Sequence, residues 1–128
     1  AIWEGGSVSC CGRNYYGQLG LGDTSDRNAL GPSVPLGGPA RALSLGGSHV
    51  CATLAAAGLK CWGYNSVGQL GYGDTNHRGD APNEVASLPA VPVPAGFDKV
   101  VLGAWHGCVL KSGGVSCWGN GGSGRLGT

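Results

Sequence analysis

Apolar residues come in short runs, never longer than a strand needs, and each run is closed by glycine or proline. Val50 to Ala55 and Leu59 to Trp62 flank Ala56-Ala57-Gly58, which predicts a β-hairpin. Val109 to Lys111 and Val115 to Trp118 flank Ser112-Gly113-Gly114 and predict a second. Further predicted strands are Ser33–Leu36, Ala42–Leu45, Glu84–Leu88 and Phe97–Leu102. No stretch shows apolar residues at a helical period between capping signals. The pattern predicts an all-β chain.

The strands recur with their turns. Cys10-Cys11-Gly12-Arg13-Asn14-Tyr15-Tyr16-Gly17-Gln18-Leu19-Gly20 returns as Cys61-Trp62-Gly63-Tyr64-Asn65-Ser66-Val67-Gly68-Gln69-Leu70-Gly71. A third copy runs Cys117-Trp118-Gly119-Asn120-Gly121-Gly122-Ser123-Gly124-Arg125-Leu126-Gly127. The steps are 51 and 56 residues. Upstream, His49-Val50-Cys51 matches His106-Gly107-Cys108, which divides the chain into copies 1–48, 49–105 and 106–128, the last incomplete. Ala1 to Cys10 overlays Cys108 to Cys117 without a gap, so Ala1 is expected opposite Cys10. A period of this size belongs to blades or solenoids, whose units bury their faces on one another. A piece of about two units is expected to need covering, by more of the same chain or by neighbouring subunits.

The phrase Trp-Gly-x-Asn-x-x-Gly-Gln-Leu-Gly-x-Gly-Asp, preceded by a His-x-Cys strand, resembles the repeats of the RCC1-like (regulator of chromosome condensation) β-propeller family. The likeness covers nearly the whole chain. It implies blades of four antiparallel strands, here a partial ring of the 4–8 blades typical of propellers. Cys11 stands where the pattern has Trp, and Asn120-Gly121-Gly122-Ser123 departs from it in the third copy.

The 27 glycines are mostly at fixed register in the repeat, which marks tight turns rather than a flexible linker. Leu19, Leu70 and Leu126 interrupt them as buried anchors would, and Trp62 and Trp118 are expected to be framework. The six cysteines are equally ordered. Cys51 and Cys61 lie on opposite arms of one hairpin, and Cys108 and Cys117 on opposite arms of the next, so each pair is expected to form a disulfide. A ten-residue loop closed this way stabilises by roughly 2.5–3 kcal/mol on the chain-entropy model. Cys10 and Cys11 are left free or bonded elsewhere. Paired cysteines in each unit favour an oxidising setting, extracellular or at the cell surface; the alternative is a cytoplasmic or nuclear propeller with reduced thiols. His49 and His106 sit near cysteines, but the spacing lacks a zinc signature, and no metal or cofactor is expected.

Net charge is +1 and no basic run occurs, so a nucleic-acid partner is not expected. No apolar run is long enough to insert in a membrane. Asp23 and Asp74 are the tempting acids, but both recur in the turn beside Arg27 and Arg78, which suits a local network better than catalysis. The chain is therefore read as non-enzymatic: a binding or structural module, part of an extracellular assembly, meeting protein first and carbohydrate second. Its alternatives are an intracellular guanine-nucleotide exchange factor or GTPase regulator, and a secreted enzyme inhibitor. Positions that differ between copies are the candidate partner contacts: Arg13, Tyr15, Tyr16, Tyr64, Tyr72 and His77. Pro89 to Pro94 reads as an extended connector.

Overall fold

A computed structural model describes residues 1–56 and 58–127. Two three-stranded antiparallel sheets follow one another along the chain. The first is β1 (Ala40–Leu45), β2 (His49–Leu54) and β3 (Gly58–Gly63). The second is β4 (Lys99–Leu102), β5 (His106–Lys111) and β6 (Gly114–Gly119). A short helix, α1 (Glu84–Ser87), lies in the connection between them. The fold is all-β, as the pattern of runs and turns requires. Ala57, the middle residue of the first predicted hairpin turn, lies outside the described residues.

Strand β2 shows why its sequence is apolar on both sides. Side chains alternate across a strand. Val50, Ala52 and Leu54 face one core with Val8, Val34, Trp62 and Val85, while Cys51 faces a second with Leu59, Cys61, Leu70 and Val91. The first sheet is thus a layer between two cores. A hydrogen bond from Leu102 N–H to Ser44 Oγ (3.0 Å) ties β4 of the second sheet to β1 of the first.

The repeated turn is held by its own polar side chains. Asn14 Oδ1 accepts from Leu19 N–H, and Asn14 Nδ2 donates to Asp23. Asn65 does the same for Leu70 and Asp74. Leu19 and Leu70 are thereby pinned in the interior, as expected. Arg27 and Arg78 pair with Asp23 and Asp74 at 2.6 and 2.7 Å, so these acids do serve the local network. The neighbouring guanidinium holds the Asp23 carboxyl below its ordinary range. Each framework tryptophan then reaches back to the preceding turn: Trp62 Nε1–H donates to Gln18 O (3.0 Å), and Trp118 Nε1–H to Gln69 O (2.9 Å). Gly20 and Gly71 adopt φ of 72° and 81°, and a Cβ at either would collide with that indole and with a valine.

Four expectations need correction. Residues 84–87 are helical, not extended, because Glu84 Oε2 accepts the N–H groups of Gly79 and Ala81 and coils the chain after Pro82. Segment 33–36 makes no ladder: Val34 N–H donates to Val8 O, but Pro35 has no N–H to continue. Each sheet also shows three strands among the described residues where four are expected: beside β3 the connector reaches across with Val91 N–H, to Leu59 O, and Pro92 has no N–H to continue. Finally, Ala1 does not face Cys10. Ile2 pairs with Val8, and Ala1 and Ser9 exchange both backbone bonds (2.7 and 3.0 Å), so Ala1 corresponds to Ala52 rather than to Cys51.

Candidate functional site

The two repeated turns and the entry to β5 leave one rim of the structure covered with rings. Tyr15 and Tyr16 come from the first turn, Tyr64 and His77 from the second, and Trp105 from the residue before β5. Tyr16 packs edge-on against Tyr64 with centroids 4.5 Å apart and against His77 at 5.3 Å. Tyr64 meets His77 at 5.0 Å and Trp105 at 5.5 Å, while Tyr15 stands on Tyr16 at 4.9 Å. Edge-to-face packing at these distances is favourable in itself, so the cluster is preformed. It still presents surface: Tyr15 is 75% exposed and Trp105 43%. Beside it Arg13, Tyr15, Tyr16, Gln18, Thr24 and Asp26 line an open groove of about 580 Å³.

His77 has a positional task as well. Its Nδ1 accepts the Asn65 N–H at 3.0 Å, the place that Asp26 Oδ1 takes for Asn14 N–H at 2.8 Å. The imidazole therefore replaces a carboxylate in the turn and brings an aromatic face with it. Five of the six sequence candidates, Arg13, Tyr15, Tyr16, Tyr64 and His77, come to this rim. Tyr72 does not. Its hydroxyl donates to Cys61 O (3.2 Å) and accepts from Cys61 N–H (3.1 Å), its ring packs on both cores, and burial raises its pKa. Tyr72 closes the blade instead of offering a contact, because the turn aims that position inward. Sequence reasoning missed Trp105, whose signal was available: it stands directly before the repeated His106, where the preceding copy has Ser48.

Cys51–Cys61 and Cys108–Cys117 form the two hairpin disulfides, with Cα separations of 4.1 Å. Cys10, half-buried, and Cys11, exposed, are free, and burial raises the Cys10 thiol pKa. His49 is 1% exposed, and neither ring nitrogen has a hydrogen-bond partner. Its pKa is lowered to about 4, mainly by burial. Among the described residues, no group of three or more His, Cys, Asp or Glu is placed to hold a metal ion, and no helix is long and apolar enough to cross a membrane.

The profile of the Regulator of chromosome condensation (RCC1) repeat matches residues 5–53 and 61–110. The chain belongs to the RCC1 repeat family. Its RCC1-type relatives include the human probable E3 ubiquitin-protein ligase HERC4, 36% identical over 99% of this chain and 12% of that protein. The Arabidopsis thaliana RCC1 domain-containing protein RUG3, mitochondrial, is 37% identical over all of this chain and 29% of its own length. This chain thus spans only a small part of the relatives it matches, and the ligase likeness extends over RCC1 repeats alone. Among solved structures, Prp20p from Saccharomyces cerevisiae aligns over 99% of this chain and 32% of its own, with a TM-score of 0.72 at 21% identity. Yeast RCC1 (Prp20) bound to Kap60 aligns over 88% of this chain and 28% of its own, with a TM-score of 0.69 at 28% identity. The two sheets are therefore blades of a partial RCC1 propeller.

Proposed function

We propose that this RCC1-type segment is a non-catalytic binding module that meets a protein partner through the aromatic rim. The observation that carries this reading is the assembly of Tyr15, Tyr16, Tyr64, His77 and Trp105 into one exposed cluster. Four of these come from repeat positions where the copies differ and the fifth, Trp105, replaces Ser48. Framework needs are the same in every copy, and apart from the turn bond that His77 accepts the cluster answers none of them, which supports a role outside the blade. Aromatic side chains with apolar bodies and polar tips are the usual anchors of protein interfaces. Two hairpin disulfides support an extracellular or cell-surface setting, where the segment contributes to a larger assembly. A second reading, regulation of a GTPase, draws support from the likeness to Prp20p, a protein described by its binding to Gsp1p and histones.

The test is proximity crosslinking through the rim. A photo-crosslinker placed at Tyr15 is expected to capture a protein, and Tyr16→Ala with Trp105→Ala to lower the yield at least tenfold. The same loss from Lys99→Ala, far from the rim, would refute the assignment. Capture of glycan alone would replace the protein partner by a carbohydrate.

A further inference from the structure

The two ends of β2 meet different company. Ser48, just before its first residue, belongs to the rim groove, whereas Thr53 and Leu54 at its far end line a second opening between the sheets. Two adjoining cavities lie there, of about 440 and 350 Å³, which share Arg41, Thr53 and Phe97. Small-ligand sites are commonly of this size. Leu54, Leu59, Val91 and Val93 make the apolar part of the larger cavity. Leu59 and Val91 continue from there into the core around the Cys51–Cys61 disulfide. Both walls are supplied by residues 41–100, so the opening is internal to the chain.

Arg41 stands at the junction of the two cavities because β1 is interrupted. The register passes from Ala40↔Leu54 to Ala42↔Thr53, so Arg41 has no residue of its own across the ladder. Strand β4 pairs with β5 without interruption, from Lys99↔Leu110 to Leu102↔Gly107. The extra residue is therefore not something a blade requires. Bulges re-aim a side chain and are over-represented beside functional sites. Among the described residues the ion pairs are Asp23–Arg27 and Asp74–Arg78, and Arg41 has no part in either. Lys99 lines the smaller cavity, and Lys111 Nζ donates to Ala95 O on the wall of the larger one. Asp98 is the single carboxylate of the lining, and its Oδ2 already accepts the Ser112 N–H (2.9 Å). Three cations thus stand around one engaged carboxylate.

The geometry points to this opening as a binding site for a carboxylate carried on an apolar body, the chemistry of a short fatty acid. The carboxylate pairs with the Arg41 guanidinium, whose parallel N–H groups suit two oxygens in one plane. The alkyl chain lies over Leu59 and Val91 in the larger cavity. A small inorganic anion would leave that apolar lining uncovered. A neutral apolar molecule would cover the guanidinium without giving it a partner, which is costly. The site lies at the opposite end of β2 from the aromatic rim and does not rest on the protein partner proposed there.

The probe is hexanoate, titrated into the isotopically labelled protein and followed by backbone amide shifts. Saturable shifts confined to residues 41–44, 53–55 and 95–100 are expected. Hexanamide keeps the chain and loses the charge; acetate keeps the charge and loses the chain. Each is expected to bind at least tenfold more weakly than hexanoate, a comparison that requires no change to the protein and so does not depend on a variant folding. Arg41→Gln, at an exposed position, should lower the affinity for hexanoate at least tenfold. Absence of saturation with hexanoate, equal binding of hexanamide or acetate, undiminished binding to Arg41→Gln, or shifts centred on rim residues 13–18 would each overturn the assignment.

Discussion

Sheets β1–β3 and β4–β6 share a register, a disulfide and a tryptophan grip, yet they differ in what covers them. Leu59 on β3 is fully buried, whereas its counterpart Val115 on β6 is 65% exposed. Trp62 is fully buried and Trp118 only half-buried. The local structure is the same because it depends on hairpin residues that each copy carries. The burial differs because it depends on what the chain places beyond the hairpin: α1, Val91 and the second sheet in one case, and little among the described residues in the other. Hairpin formation and blade stability are thus separable properties of one sequence unit.

The largest effect expected from this contrast is at the tryptophans. Trp62→Ala should cost about 3–5 kcal/mol in denaturant unfolding, the range for emptying a packed aromatic site. Trp118→Ala should cost less than half as much, since part of its ring is already in water. Equal losses would show that the two blades are equally packed and would break the comparison.

Acid should come next, through the buried His49 of the first sheet. His49 is neutral in the folded state with a pKa of about 4, against about 6.5 in an unfolded chain. Between these values the unfolded state binds a proton that the folded state refuses, so stability falls as pH drops from 6.5 towards 4. The loss approaches about 3 kcal/mol at the acid end. His49→Gln should flatten the dependence between pH 6.5 and 4. Thermal midpoints across that window decide the matter.

The disulfides should differ in rate rather than in energy. Both loops are close to ten residues, so their entropic contributions are alike, roughly 2.5–3 kcal/mol each. Access is unequal: Cys51 and Cys61 are buried, Cys108 and Cys117 half-buried. Brief reduction followed by alkylation and peptide mapping should label Cys108 and Cys117 first. The reverse order would mean that the first sheet opens more readily than the second.

The smallest effect is reserved for the ion pairs. Asp23–Arg27 and Asp74–Arg78 are both near the surface, and exposed pairs contribute little. Arg27→Gln and Arg78→Gln should shift the unfolding midpoint hardly at all, and equally. A marked loss from one alone would reveal a difference between the turns that their geometry does not show.

What the sequence disclosed follows the same division. The hairpins, both disulfides and the anchoring of Leu19 and Leu70 were legible, because each depends on residues a few positions apart and each is written more than once. The family was legible for the same reason. Residues 84–87 were not: an apolar valine in a short run suits a strand or a helix, and the choice was made by Glu84 folding back on Gly79 and Ala81. The inward turn of Tyr72 depends on the Cys61 backbone across the blade. The rim was half legible. Variation between copies marked Tyr16, Tyr64 and His77, but it could not say that they touch or that Trp105 joins them.

The grip of each tryptophan on the turn before it has a direction. Trp62 holds Gln18 and Trp118 holds Gln69, always from the later unit to the earlier one. The receiving atom is a backbone carbonyl, which every amino acid possesses, so the bond asks nothing of the side chain at Gln18 or Gln69 and the predecessor need only keep the nearby glycine that leaves room for the indole. Such a joint survives duplication or deletion of a whole period, since any unit with the indole fits any unit with the turn. It also suits synthesis from the amino end, where each receiving turn has emerged before the ring that will clasp it. Cys11, which occupies the clasping position in the first copy, has no indole to reach with. That unit can be held by its successor, but it cannot take hold through the same bond.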